Sequence, residues 1–308
     1  MNLIAKLSHL FKSKKTPAEP KPASRETPTL PLANRQKKSP ISDELINLQL
    51  RLPQLAVSCA QSVGKQRDHN EDSILAISVL SSNNGGYLPI GLYIVADGMG
   101  GHKNGELASK LAVQTIAHTV IENIFLPALN SGPTPPTTPI QEILEQSVHK
   151  AHQTITKEVP GGGTTLTTVL IVGQQMSIAH VGDTRLYHIN SDGNMETLTR
   201  DHSLVRRMIE LGHLTEEEAS VHPQRNVLYR ALGQGEPFNP DISTQPLPQS
   251  GYLLLCSDGL WGVVGQTEIA NIVQSSKSQE IACQSLVDAA NNAGGPDNIS
   301  AILIRIPD

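Results

Sequence analysis

The chain has 308 residues, of which 38% are hydrophobic, with 24 glycines, 21 prolines and a net charge of −5. No apolar run approaches the ~18 residues of a membrane span, and the acidic balance argues against nucleic-acid binding by bulk electrostatics. Three cysteines, Cys59, Cys256 and Cys283, cannot make a disulfide framework and fit a reducing cytoplasm, and the lack of a C-x-x-C pair argues against a zinc ribbon.

Charge is unevenly spread. Residues 1–50 carry nine Lys/Arg against four Asp/Glu, and the rest of the chain carries 15 against 25. The pattern is a basic tail on an acidic body. Residues 1–15 place Leu3, Ile4, Leu7, Leu10 and Phe11 at helical spacing, with Lys6, Lys12, Lys14 and Lys15 on or beyond the other face. They lack the continuous apolar centre and cleavage site of a secretory signal. Two readings stay open: a disordered terminus, because short isolated helices are marginal in water, or a basic amphipathic contact for an anionic membrane or an acidic partner. Residues 16–40, with Pro17, Pro20, Pro22, Pro28, Pro31 and Pro40, have linker composition.

The folded body is expected over 51–308. Strand patterns lie at 55–62, 73–79, 91–97, 164–173, 176–182, 184–190, 252–259 and 299–306. Helix patterns lie at 104–125, 140–157, 203–212, 266–275 and 278–292. A second proline cluster, Pro127, Pro133, Pro135, Pro136 and Pro139, reads as a loop between the first two helices. Gln174-Gln175 suits a hairpin, and Gly161-Gly162-Gly163 reads as a bend into a buried strand. Helices paired mid-chain and again late, with hairpins between them, favour antiparallel sheets faced by helix pairs over a doubly wound fold.

Acidic residues recur where strands stop: Asp72, Asp97, Asp183, Asp258 and Asp297, four of them with glycine beside or just ahead. One such aspartate is an ordinary turn former. Five that converge would repel strongly, at ~4 kcal/mol for a pair 4 Å apart at an effective dielectric of 20, and a fold keeps such a cluster only with cations. Oxygen ligands without a Cys or His pair select Mg²⁺ or Mn²⁺ over zinc. Arg67 lies five residues before Asp72, and a guanidinium fork matches two phosphate oxygens. Metals plus an arginine indicate a phosphate substrate. The chain has no G-x-x-x-x-G-K-[ST] loop, no G-x-G-x-x-G after a strand and no G-x-S-x-G elbow.

Eight segments in order carry a resemblance: G-K-Q-R-D-H-N-E-D (64–72), V-A-D-G-M-G-G-H (95–102), G-T-T (163–165), V-G-D-T-R (181–185), T-R-D-H-S (199–203), H-P-Q-R-N-V-L-Y-R-A-L-G (222–233), C-S-D-G-L-W (256–261) and G-G-P-D-N-I-S (294–300). The chain resembles the metal-dependent serine/threonine protein phosphatases of the type 2C family, in the bacterial branch, over about residues 55–308. The resemblance implies an α+β fold of two stacked antiparallel β-sheets flanked by pairs of helices, a four-layer α-β-β-α sandwich. It implies that Asp97 bridges two ions, Mg²⁺ or Mn²⁺, with the Gly98 carbonyl on one of them. Asp258 and Asp297 complete one ion's site, and Glu71 and Asp72 sit beside the other, acting largely through water. Asp183 matches the position that holds a third, weaker ion, shared with Asp258. Arg67 holds the substrate phosphate, and residues from about 203 to 230 match a flap over the site.

The implied reaction is hydrolysis of phosphoserine and phosphothreonine in proteins by a metal-bound hydroxide, in line and without a phosphoenzyme. Phosphorylated proteins, such as serine/threonine kinases or their substrates, are the expected partners, and a monomer is the expected state. The general acid stays unassigned. Met99 stands where animal members carry a histidine, and His102 reads as a structural or surface residue as readily as an acid.

Overall fold

The run from 91 to 96 is apolar without alternation, as a strand is when both its faces are covered. The computed structural model describes residues 54–83, 86–101, 103–131 and 138–307, and this run lies inside β3 (Gly86–Met99). Leu92, Ile94 and Ala96 enter one core, and Tyr93 and Val95 enter another. All five are fully buried.

Two antiparallel sheets are built around that strand and its counterpart. One has the order β1 (Ala56–Ser62), β11 (Ile299–Ile306), β10 (Gly251–Cys256), β7 (Arg185–Ile189) and β8 (Met195–Thr197). The other has the order β2 (Asp72–Asn83), β3, β5 (Leu166–Val172), β6 (Gln175–Val181) and β9 (Asp241–Pro246), with the two-residue β4 (Gly163–Thr164) paired to the end of β3. Helix α1 (Lys103–Val120) runs through a π-helical turn, Ile121–Phe125, into α2 (Leu126–Ser131). Next come α3 (Ile140–Glu158), then α4 (Leu204–Glu210) and α5 (Glu216–Ser220). The helices α6 (Asp258–Trp261), α7 (Gln266–Ser275) and α8 (Gln279–Asn292) complete the list.

Three cores separate four layers. Ala108, Ala112, Ile116 and Val120 of α1, with Ile143, Leu144, Val148, Ala151 and Ile155 of α3, cover the outer face of the second sheet. Ile269 and Val273 of α7, with Ala282, Leu286 and Ala290 of α8, cover the first. Between the sheets, Tyr93, Val95, Val169 and Ile171 meet Leu186, Leu253, Leu255, Ile302 and Ile304. The architecture is therefore the α+β sandwich of two stacked sheets and flanking helix pairs.

Several local differences have clear causes. The hairpin of β2 and β3 is longer than the apolar run, with Asn83 opposite Gly86. The hairpin after β5 turns at Gly173-Gln174, one residue early, because Val172 pairs with Gln175 and Gly173 takes a φ of 61°. Pro127 lies inside α2 rather than in a loop. A proline cannot donate within a helix and its ring crowds the preceding turn, and here that turn is widened, with the Leu126 N–H donating to the Ile121 carbonyl. Strand β9 was not expected: Asp-Ile-Ser-Thr-Gln-Pro is a polar edge strand with little to bury. No helix among the described residues is long and apolar enough to cross a membrane. The expectations for residues 1–50, for Pro133, Pro135 and Pro136, and for His102 lie outside the described residues.

Candidate active site

Strand register places the first two carboxylates. Asp72 opens β2 and stands directly opposite Asp97 near the end of β3. Directly opposed residues share one face of a sheet, with Cβ atoms about 5 Å apart. Beyond Asp97 the chain must pass α1 closely. A Cβ at Gly98 would lie 2.3 Å from the Gly105 carbonyl oxygen and 2.7 Å from that of Glu71, so no side chain fits there. The Asp97 backbone is held on both sides, since its N–H donates to Thr165 Oγ1 (3.0 Å) and its carbonyl accepts from Thr165 N–H and Thr164 Oγ1 (2.9 Å each).

The other sheet delivers the second pair. Asp258 is the first residue of α6, directly after β10. A Cβ at Gly259 would meet the Asn298 carbonyl at 2.0 Å, so the Asp-Gly pair packs this helix start against the approach to β11. Asp297 precedes β11, and its Oδ2 accepts from Arg67 Nη2 at 2.7 Å. Asn298 organises the neighbouring loop. Its Nδ2 donates to the carbonyls of Val63 (2.8 Å) and His69 (2.9 Å), and its Oδ1 accepts from the Glu71 N–H (2.8 Å). Arg67 and Glu71 are thereby hung beside Asp297. Glu71 itself is buried, with Oε1 3.2 Å from His69 Nε2.

Seven of the eight expected residues, namely Arg67, Glu71, Asp97, Gly98, Asp183, Asp258 and Asp297, line one cleft of about 460 Å³. Asp72 lies behind it. Its Oδ2 accepts from Ser300 Oγ (2.6 Å) and Ser257 Oγ (2.8 Å), two hydroxyls from the facing sheet. Neither serine was singled out in the sequence, although both stand inside the quoted motifs. Asp183 is buried, and its carbonyl accepts from Trp261 Nε1 (3.0 Å). Trp261 in turn carries the Arg185 guanidinium over its ring at 3.4 Å, and Arg185 forks onto Asp201. The histidines of the surrounding motifs are hydrogen-bonders. His180 is buried between Thr167 Oγ1 and the Arg200 carbonyl, and His202 Nδ1 accepts from the Gly182 N–H. The segment from 203 to 230 holds α4 and α5, its ends bridged at Ser203 and Leu228, and Leu228 reaches the cleft wall.

Electrostatic crowding marks the cleft. Burial, then repulsion from Asp72, Asp258, Asp183 and Asp297, holds Asp97 well above the ordinary carboxylate range. Burial, opposed by the two serine hydroxyls, pushes Asp72 up to about 7. Burial and Asp297 push Asp258 up to about 6. Asp183 is raised well above its ordinary value by burial, Asp258 and Asp201. Two carboxylate oxygens, Asp72 Oδ1 and Asp258 Oδ1, are buried with no hydrogen-bond partner. Oxygen-only donors with unsatisfied lone pairs fit a hard divalent cation. Among the described residues no group of three or more His, Cys, Asp or Glu side chains is placed to hold one ion by itself. Asp297 is engaged by Arg67 and Asp72 by the serines.

Comparisons with known proteins agree with this architecture. The protein phosphatase 2C family model matches residues 58–299. The chain is 36% identical over 248 residues to a serine/threonine phosphatase of Listeria welshimeri, covering 79% of this chain and 92% of that one. The Streptococcus agalactiae serine/threonine phosphatase structure superposes with a TM-score of 0.68 at 31% identity, over 82% of this chain and all of that one. The catalytic domain of the phosphatase PstP in complex with two manganese ions gives 0.65 at 28% identity, over 83% and 99%. The chain belongs to the protein phosphatase 2C family. It is a protein-serine/threonine phosphatase, and phosphoproteins are its substrates.

Proposed function

We propose that this phosphatase works with two divalent ions, Mg²⁺ or Mn²⁺, and opposes serine/threonine kinases. The buried, unpartnered Asp72 Oδ1 and Asp258 Oδ1 beside Asp97 carry the metal reading. Asp97 and the Gly98 carbonyl would hold one ion, and Asp97, Asp258 and Asp297 the other. Glu71 and Asp72 would act behind them through water, and Asp183 with Asp258 would take a third ion. Mg²⁺ keeps several water ligands, so these carboxylates need not all touch their ion directly. When bound, the ions supply Lewis acidity and an ionisable water near neutral pH.

The chain's own groups do the rest. Arg67 spends one donor on Asp297, and its remaining N–H groups are available to orient phosphoryl oxygens from the cleft rim. Thr164 and Thr165 fix the Asp97 backbone, so its carboxylate stays in place as charge develops. Leu228 and Met99 give the cleft wall a partly apolar lining against which a side chain can rest.

The test is turnover of a phosphothreonine peptide with Mn²⁺ or Mg²⁺, with excess chelator, and in Asp97→Asn. Activity restored by metal and lost by more than about 10³-fold in the variant, ~4 kcal/mol of barrier, is the expected result. Full activity in chelator, or an active Asp97→Asn, would overturn the proposal.

A further inference from the structure

The inner face of α3 is apolar at Ile143, Leu144, Val148, Ala151 and Ile155, yet His152 is buried among them at 3% exposure. Packing alone does not require an imidazole there, because a leucine would bury more apolar surface without a polar group to satisfy. Both ring nitrogens are engaged. Nδ1 accepts from the Gly233 N–H at 3.1 Å, which leaves the proton on Nε2, 3.3 Å from Glu236 Oε1. The ring stacks on Phe238 at 4.0 Å between centroids and 13° between planes. Burial holds His152 below its ordinary pKa against the opposing pull of Glu236, and a neutral ring is what accepting at Nδ1 requires.

Gly233 is the corner of a tight turn in which Ala231 bridges Gln234, with φ at 79°. The residue before it, Leu232, exchanges both backbone hydrogen bonds with Thr164, at 3.1 and 2.9 Å. Thr164 pairs with Gly98, and its hydroxyl donates to the Asp97 carbonyl. A continuous chain of hydrogen bonds therefore leads from the helix layer to the backbone of the two residues that would share an ion.

We infer that His152 is a positioning residue that fixes Asp97 and Gly98 through Gly233, Leu232 and Thr164. The inference rests on the reading of Asp97 and Gly98 as metal ligands. It adds a residue in the outer layer, on a helix with no wall in the cleft, whose Nδ1 acceptor sets ion affinity and turnover. Losses at residues that orient metal ligands are typically 10- to 100-fold. Because Arg67 hangs from a different loop, substrate affinity is not set by His152.

The experiment compares three variants of the full chain. In His152→Asn the side-chain oxygen stands near the place of Nδ1 and keeps an acceptor for Gly233. In His152→Gln the polar end moves toward Nε2, and in His152→Leu it is gone. The readouts are kcat and KM on a phosphothreonine peptide, the Mn²⁺ concentration for half-maximal activity, and exchange of the Gly233 amide in metal-free protein. His152→Asn should stay within about threefold of wild type in all of these. His152→Gln and His152→Leu should lose about tenfold in kcat, need about tenfold more Mn²⁺, keep KM within twofold, and exchange the Gly233 amide faster.

The chain of contacts has its own check. Thr164→Val should give the same phenotype, and adding it to His152→Gln should cost little more, because coupled residues are not additive. If His152→Leu does not fold, His152→Gln carries the comparison. Equal impairment of the Asn and Gln variants, near-wild-type kinetics in the Gln variant, or additive losses in the double variant would overturn the inference. An inactive Asp97→Asn in the same assay would show that only this inference has failed.

Discussion

Replacing Asp258 by asparagine removes a buried charge while keeping shape, so in metal-free protein it should stabilise the fold. Burial and repulsion from Asp297 move Asp258 from an ordinary 3.8 up to about 6. At pH 8 that difference corresponds to ~3 kcal/mol. Neighbouring carboxylates relax when one charge goes, since such groups titrate together, so a gain of about 1–3 kcal/mol is expected. For a domain of this size, 1 kcal/mol moves Tm by about 2–4 °C, which sets the expected rise at about 2–12 °C. The sign with pH follows from linkage. The folded pKa lies above the unfolded one, so the destabilisation is absent below about pH 4, grows as pH rises through 6 and is complete above about 7. At pH 5 the advantage of the variant should fall to about half. In millimolar Mn²⁺ the order should invert. The wild type gains ~2.7 kcal/mol at a hundredfold excess over Kd, and the variant lacks one ligand. Thermal melts at pH 8 and 5, in chelator and in Mn²⁺, read all of this. A metal-free Asp258→Asn that melts below wild type at pH 8 would refute the crowding argument.

Two further outcomes are expected. Arg67→Ala should raise KM for a phosphopeptide at least tenfold with a smaller change in kcat, and Arg67→Lys should recover little of it because the planar fork is lost; steady-state kinetics that show neither change would contradict the role. Deleting residues 1–50 should leave turnover of a small phosphate ester within about twofold, ~0.4 kcal/mol of barrier. If Leu3, Ile4, Leu7, Leu10 and Phe11 form an anchor, only the full chain should sediment with anionic vesicles.

The two-sheet architecture was legible because its central strands are buried on both faces. Residues 91–96 and 252–256 are apolar throughout, which no surface strand sustains. The paired helices were legible from their apolar faces. Strand β9 was not, because Asp241–Pro246 buries little and pairs only with β6. Helix α2 was hidden by Pro127, since the widened turn that accommodates the proline leaves no mark in composition. For the site, the aspartates announced themselves by place and by glycine neighbours. Ser257 and Ser300 did not, because a serine in a strand-end motif has no distinguishing pattern until Asp72 is seen across the sheets. His152 was silent for a related reason: its partner is a backbone N–H, and no side-chain pattern encodes that.

The carboxylates in and behind the cleft come from opposite halves of the sandwich. Asp72 and Asp97 belong to the sheet of β2 and β3, and Asp258 and Asp297 to the connections of β10 and β11. The hydroxyls on Asp72 already stitch the two halves along this seam. A cation seated between them would act as a rivet, and the mechanical integrity of the sandwich would then be tied to its ionic content. Chelation should loosen both sheets together, so amides of β3 and β10 should gain exchange in step, while an opening motion that parts the seam should release ions before either helix pair is lost.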